Sequence, residues 1–332
     1  MKKQAFAFGA RYLLGAFAAV LLAFIGFATQ DDRPRFSAWS EPVNLAEPSL
    51  GSKAAWFPAI SKDELSLYFT TGGLPGYGGY DIYVCQRASV DDPWGPPQNL
   101  GPNINTSSNE SGPGFSPDGH LMYFASDKPG GSGGTDIYVS RRHNKRDDFG
   151  WQTPMNLGSG INTEYNEANP DIFEDDEDTG DICLYFESNR PGGPSPYEPD
   201  PWGNGNDIYV STLQTDETFG PAMSVEGLNS SSRDRTPSIR RDGLEIFFSS
   251  DRPGGVGFDL WVSTRPTTSD PWSEPVNLGL PVNLERREQG PSLSWDRTKL
   301  YFCSDSKLRP DWRGGWDLYV STRTKLKGPD KD

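Results

Sequence analysis

Histidine and cysteine are nearly missing from this chain: two of the first and three of the second in 332 residues. His120 falls on a turn and His143 in a loop of the same repeat, which argues against a histidine-based metal centre or a Ser-His-Asp triad. The Gly-x-Ser-x-Gly context of a nucleophile elbow is also lacking. Cys85, Cys183 and Cys303 show no Cys-x-x-Cys spacing and stand where sister segments carry Ser, Ala or an apolar residue. They read as buried small side chains rather than a disulfide frame. Positive charge is scarce as well: 31 Lys and Arg against 46 Asp and Glu give a net charge of −15. Residues 1–30 hold Lys2, Lys3 and Arg11 and no acid, so the remainder carries −15 less three positive charges, −18. A body that acidic repels nucleic acid and anionic lipid surfaces.

What is present in quantity is glycine (37), proline (29) and aromatic residues (12%). Many short strands joined by turns give that composition, and long helices do not. The opening thirty residues differ from the rest: basic residues, then an uncharged and mostly apolar stretch from Tyr12 to Ala28, with Gly26 and Ala28 spaced for a signal peptidase. This is a cleaved signal or an uncleaved anchor of just spanning length. No cysteine follows it, which speaks against a lipoprotein. Either reading puts the body outside the cytoplasm, in the periplasm or beyond. Residues 31–38 read as a linker and 324–332 as a charged tail.

Between them the chain repeats itself. One segment recurs as Asp81-Ile-Tyr-Val-Cys85, Asp136-Ile-Tyr-Val-Ser140, Asp207-Ile-Tyr-Val-Ser211, Asp259-Leu-Trp-Val-Ser263 and Asp317-Leu-Tyr-Val-Ser321. A second recurs as Trp39-Ser-Glu-Pro-Val-Asn-Leu45 and at Trp94, Trp151 and Trp272, with a worn copy at Phe219. Prolines at 42, 97, 154, 221 and 275 are spaced by 55, 57, 67 and 54, and those at 58, 113, 170, 237 and 291 repeat the same intervals. A period near 55 means propeller blades or a solenoid. The second period divides into strand a around Gly112 to Ser116, b over Leu121 to Ser126, c over Asp136 to Ser140 and d over Trp151 to Leu157. The b runs are apolar at consecutive positions, as strands covered on both faces are. The fifth repeat stops after strand c, and the spare strand d is Trp39 to Leu45. The expected fold is therefore all-β: a five-bladed propeller of four-stranded antiparallel blades over residues 39–323, closed by the N-terminal strand joining the last blade.

The Ser-Pro-Asp-Gly turn, the Leu-Tyr-Phe run, the (Asp/Asn)-(Arg/Lys)-Pro-Gly-Gly loop and Asp-Ile-Tyr-Val-Ser resemble the WD-like propeller repeats of the TolB type. The resemblance covers residues 39–323 and implies the propeller. For function it implies only a range, from periplasmic scaffolds to receptor parts and enzyme-associated domains. No second domain that could carry a Tol-like role is expected beside the propeller.

Propeller geometry puts the d–a and b–c loops on one face, and these are the long ones, so that face is where binding is expected. Its b–c loops carry Tyr77 and Tyr80, Tyr197 and Trp202, and Trp312 and Trp316, aromatics suited to stacking on sugar rings or anchoring a protein. Three residues before each strand-a proline stand Glu110, Glu167, Asp234 and Glu288, with Ala55 in the first repeat. Four carboxylates near a channel mouth could hold Ca²⁺ as a cofactor; the bland reading is that each serves its own blade's loop. The first Asp of each Asp-Ile-Tyr reads as a turn acceptor, and Lys128, Arg190 and Arg252 as partners of acids in their own blades. The five acids Glu174 to Asp178 read as a solvated turn. Glycoside hydrolysis needs two carboxylates in unlike surroundings, and no acid stands out from its sister repeats as such a pair would. The expectation is a monomeric, non-catalytic interaction scaffold of the cell envelope with an envelope protein as partner. The alternatives are a polysaccharide-binding module and a five-bladed glycoside hydrolase.

Overall fold

The computed structural model describes residues 35–45, 54–175, 180–196 and 207–326. The leader, Tyr197, Trp202 and Asp176 to Asp178 lie outside the described residues. Two short strands come first, β1 (Arg35–Phe36) and β2 (Val43–Asn44). Blade 1 is β3 (Trp56–Ile60), β4 (Ser66–Thr71), β5 (Asp81–Gln86) and β6 (Gln98–Asn99). Blade 2 is β7 (Glu110–Phe115), β8 (Leu121–Ser126), β9 (Asp136–Arg141) and β10 (Met155–Asn156). Blade 3 is β11 (Glu167–Glu174), β12 (Ile182–Ser188), β13 (Asp207–Thr212) and β14 (Met223–Ser224). Blade 4 is β15 (Asp234–Ile239), β16 (Glu245–Ser250), β17 (Asp259–Thr264) and β18 (Val276–Asn277). Blade 5 holds β19 (Glu288–Leu293), β20 (Lys299–Ser304) and β21 (Asp317–Thr322), and its fourth strand is β2. A last strand, β22 (Lys325–Leu326), pairs with β1.

Each blade is an antiparallel meander, and the first strands β3, β7, β11, β15 and β19 each touch their counterparts in both neighbouring blades, so they ring a central channel. In blade 5 Val43 lies opposite Val320 and Asn44 opposite Tyr319. The flanking bonds continue this pairing, from Leu45 N to Leu318 O (2.9 Å) and from Ser40 N to Thr322 O (2.8 Å).

The second and third strands are apolar because both their faces are covered. Tyr68, Phe69, Phe124, Phe186, Phe247 and Phe302 are fully buried, filling the seams between blades. The outer strands are shorter than the Trp-to-Leu segments suggest, two residues each, because a proline stands just ahead of the paired residues and lacks the N–H a ladder needs. Their tryptophans do another job: Trp94, Trp151 and Trp272 are buried under Arg87, Arg142 and Arg265, whose guanidinium carbons lie 4.2, 4.4 and 4.3 Å from the ring centres.

The inner strands begin two residues earlier than the turn signals suggest and carry a bulge. Phe57, Gly112, Asn169, Thr236 and Gly290 have φ of 50°, 60°, 48°, 50° and 62°, and each precedes its blade's proline. Pairing slips there in every blade, between Trp56 and Ala59 in the first and Gln289 and Ser292 in the fifth. A bulge re-aims the side chains before it. Here those side chains face the channel.

Candidate binding site at the channel mouth

On the long-loop face the channel opens into a cavity of about 670 Å³. Its wall is assembled from the same few repeat positions in successive blades. The residue just before the Asp of each Asp-Ile-Tyr segment gives Tyr80, Thr135, Phe258 and Trp316. The inner-strand residue ahead of the bulge gives Trp56, Ser111, Ala168, Arg235 and Gln289. The residue that leads into the inner strand gives Asn109, Arg233 and Arg287, and the second strand adds Thr70 and Glu187. The backbone fixes the rim: Ala55, Glu110 and Glu288 donate their N–H to Trp316 O, Tyr80 O and Phe258 O at 3.0, 2.8 and 2.7 Å.

The cavity is not five-fold in its chemistry. Blades 1 and 5 supply aromatic rings; Trp56 and Tyr80 meet edge to face at 5.5 Å, and Arg287 lies over Trp316 at 4.8 Å. In blade 4, Arg233 and Arg235 lie over Phe258 at 4.6 and 5.1 Å. Asp251 accepts from Arg233 Nε and Nη2 at 2.9 and 2.7 Å, and Asp305 from the same atoms of Arg287 at 3.1 and 2.6 Å. Blades 2 and 3 supply amides, hydroxyls and two acids: Asp127, which accepts from Asn109 N and Nδ2 at 2.7 and 2.6 Å, and Glu187, which accepts from Thr236 N at 2.7 Å. Beyond the bulges, where Phe57 and Asn169 line both spaces, the channel narrows to about 60 Å³. Arg241 lines its far end, donating to Phe115 O and Ile172 O (both 3.1 Å) and lying 4.9 Å from the Trp295 ring centre. Burial pushes the neighbouring Asp171 carboxyl up and the Arg241 guanidinium down.

Of the six aromatics singled out by sequence, the structure brings Tyr80 and Trp316 into this cavity. Tyr77 is half exposed on the loop outside it, its N–H given to Asp81 Oδ2 at 2.7 Å, and Trp312 bonds back to Gly315 O at 3.0 Å. Sequence reasoning passed over Trp56, Glu187, Arg235 and the Arg233 and Arg287 pair. The signal for Glu187 was there in the repeat register, where sister blades have Thr70, Ala125, Ser249 and Cys303. Arg235 stands likewise against Trp56, Ser111, Ala168 and Gln289.

The four repeated acids go inward to their own blades. All are fully buried. Glu110 accepts from Thr106 N and Oγ1 and from Ser126 Oγ at 2.8, 2.7 and 2.9 Å; Glu167 does the same with Thr163 and Ser188. Glu167, Asp234 and Glu288 also pair with Arg190, Arg252 and Arg309 at 3.0, 2.5 and 2.9 Å. Blade 2 has Lys128 instead, its ammonium 3.8 Å from the Tyr138 ring centre. Burial pushes the Glu110 and Glu288 carboxyls up, against the pull of these donors. Among the described residues no group of three or more His, Cys, Asp or Glu is placed to hold a metal ion. The Asp of each Asp-Ile-Tyr gathers loop N–H groups, as Asp136 does from Ser132 and Gly133 at 2.6 and 3.2 Å. Asp175, from the acidic run, is buried and accepts from Thr268 Oγ1 of blade 4 at 2.7 Å.

No family model and no curated protein matches the chain. Among solved structures it is similar to the catalytic domain of a GH62 α-L-arabinofuranosidase from Coprinopsis cinerea, with 12% identity, a TM-score of 0.56 and coverage of 88% of this chain and 97% of that one. It is similar to the α-L-arabinofuranosidase of Podospora anserina solved with cellotriose, at 12% identity, TM-score 0.52 and coverage of 87% and 98%. It is also similar to a putative TolB from Agrobacterium tumefaciens, at 16% identity, TM-score 0.46 and coverage of 89% and 100%. At this identity the likeness to the two arabinofuranosidases is one of fold.

Proposed function

We propose that the protein is an exported, non-catalytic propeller that binds carbohydrate in the mouth of its channel. The observation that carries this is the cavity itself: 670 Å³, within the range of small-ligand sites, with Trp56, Tyr80 and Trp316 on one side and amides and carboxylates on the other. Apolar ring faces stack against aromatic rings while hydroxyls meet planar donors and acceptors, and a sugar asks for both. The lining carboxylates serve the wall, Asp251 through Arg233, Asp127 through Asn109 and Glu187 through the Thr236 amide, which suits holding a ligand better than cleaving it. A protein seated on the rim is the second reading, favoured by Tyr77, Val256, Leu280 and Leu308, exposed on the loops of this face at 51, 65, 78 and 62%.

Affinity electrophoresis through soluble envelope and plant-wall polysaccharides tests the first reading. The parent should be retarded by at least one, and Tyr80→Ala should lose about tenfold in affinity, roughly 1.4 kcal/mol, with its melting temperature unchanged. Migration unaffected by every polysaccharide, or retardation unchanged in Tyr80→Ala, overturns it.

A further inference from the structure

The turn between the first and second strands of a blade decides what becomes of the channel's far end. Its second residue is Pro117 in blade 2, within Ser-Pro-Asp-Gly, but Lys62, Arg241 and Trp295 in blades 1, 4 and 5. Three short turns thus carry long side chains, and these meet at the narrow end of the channel, which Arg241 and Trp295 line. Lys62 Nζ lies 3.7 Å from the Trp295 ring centre, and the Arg241 guanidinium carbon lies 4.9 Å from it. Lys62 Nζ also donates to Pro117 O at 3.4 Å, and Arg241 Nη1 to Phe115 O and Ile172 O, both at 3.1 Å. Every blade therefore holds a part of this plug.

The stretch between plug and mouth is held from widening, because neighbouring blades are tied side to side. Gly112 N donates to Thr70 Oγ1 at 3.1 Å between blades 1 and 2, and Ile239 N to Asp171 Oδ2 at 2.9 Å between blades 3 and 4. Ile60 N donates to Ser292 Oγ at 3.3 Å between blades 1 and 5. Between blades 2 and 3, Gly114 lies so close to Pro170 O that a Cβ on it would stand 2.1 Å away. The space left, about 60 Å³, has room for a few water molecules and not for a sugar ring. The cavity of about 670 Å³ on the mouth side of the bulges is therefore a well: all five blades line its wall, and its floor is shut.

We propose that the well takes the end of a glycan chain, a branch tip included, and not a stretch from the chain's middle. This rests on the carbohydrate-binding reading and narrows it. A residue inside a chain is bonded on two sides and needs two ways out of its site. A terminal residue needs one, and the well has one. The number of ends on a linear chain does not grow with its length, so binding should follow the number of chains and not their mass.

The test is calorimetric titration with linear oligomers of arabinose, xylose, glucose, mannose and galactose, each as a short fraction and a roughly tenfold longer one. For at least one sugar both fractions should bind, with the same number of protein copies per chain and a Kd per mole of chain that agrees within about twofold. A protein gripping internal residues would instead load more copies on the longer chain and show a per-chain Kd lower by about tenfold, in step with the number of sites. Ser111→Trp supplies a second arm. It puts a large ring just above the floor, at a repeat position where blade 1 already carries Trp56. It should cost at least tenfold in affinity for both fractions with the melting temperature unchanged, because a filled floor leaves a chain end no depth. A chain lying across the rim would be untouched. Should Ser111→Trp melt low, the length comparison on the parent decides alone. Copies per chain that rise with length, or unchanged affinity in a well-folded Ser111→Trp, overturn the chain-end inference and leave carbohydrate binding standing. No binding of any fraction removes both.

Discussion

Replacing Glu167 by Gln asks whether the repeated carboxylates are parts of their blades. Glu167 is fully buried and takes four donors: Thr163 N at 2.8 Å, Thr163 Oγ1 at 2.7 Å, Ser188 Oγ at 2.9 Å and Arg190 Nη2 at 3.0 Å. A glutamine keeps the shape but turns one acceptor into a donor and removes the charge that Arg190 faces. If its amide nitrogen takes the Oε2 position, it points donors at the Thr163 N–H. Breaking one side of a buried ion pair costs about 3–5 kcal/mol. Glu110 offers the internal control. It makes the same Thr and Ser bonds without an arginine, so Glu110→Gln should cost about 1–3 kcal/mol, the value of stranding a buried donor. At about 2–4 °C per kcal/mol for a chain approaching this size, Glu167→Gln should melt about 10 °C below the parent and Glu110→Gln about half as far below. Tryptophan fluorescence during thermal unfolding reads both. Millimolar Ca²⁺ should leave the parent's melting temperature where it is. A Ca²⁺-dependent rise that either variant abolishes, or a Glu167→Gln protein melting within about 2 °C of the parent, refutes the reasoning.

Two further outcomes follow from the fold. Deleting residues 31–46 removes β2 and uncovers the edge of β21, so the shortened protein should lose cooperative unfolding or aggregate; a variant that melts like the parent would show that β2 adds little. Burial, with Asp234 adding to it, pushes the Asp207 carboxyl up to about 7, and blade 3 has Ser224 where Asn99, Asn156 and Asn277 donate to the equivalent aspartates at 2.8, 2.7 and 2.7 Å. Between about pH 4 and 7 the folded chain holds a proton that the unfolded chain has released, so this contribution is present at low pH and lost as the pH rises through 7. Asp207→Asn should therefore be the more stable protein at pH 8, by on the order of 2 kcal/mol, with the gain gone at pH 4; parallel urea titrations at the two pH values check it.

The architecture was legible because propeller blades repeat in sequence as they do in space. Proline spacing, consecutive apolar runs and Asp-Ile-Tyr segments each mark a strand, and their fixed order gives the blade. Strand limits were less so. Trp151 looks like the start of a strand, yet it is a packing residue under Arg142, and only Met155 and Asn156 form the ladder. The bulge was hidden because five different residues, among them Phe57 and Thr236, take the same left-handed backbone that only Gly112 and Gly290 announce. The site was half legible. Tyr80 and Trp316 were visible as large residues in loops expected to be exposed. Glu187 and Arg235 sit inside strands, where a polar residue is noticed only when sister blades are laid over one another. What a repeat protein does not repeat is where its ligand chemistry can differ from blade to blade.

The pairing of β2 with β21 also constrains the order in which the molecule can be built. Val43 and Val320 are 277 residues apart (320 − 43), so the first strand of the propeller leaves the ribosome long before its partner does. Blades 1 to 4 can each form from contiguous chain, with short turns and early contacts. Blade 5 must wait for the end of synthesis, and its loop-closure entropy, growing only as the logarithm of loop length, delays the last step more than it weakens the finished ring. Until then β21 has no outer neighbour and β2 no sheet, so a chain halted short of Asp317 would be the aggregation-prone one. Folding of this protein should thus be timed by its two ends meeting, and a slow final phase should be sensitive to Val43 and Val320 more than to any blade interior.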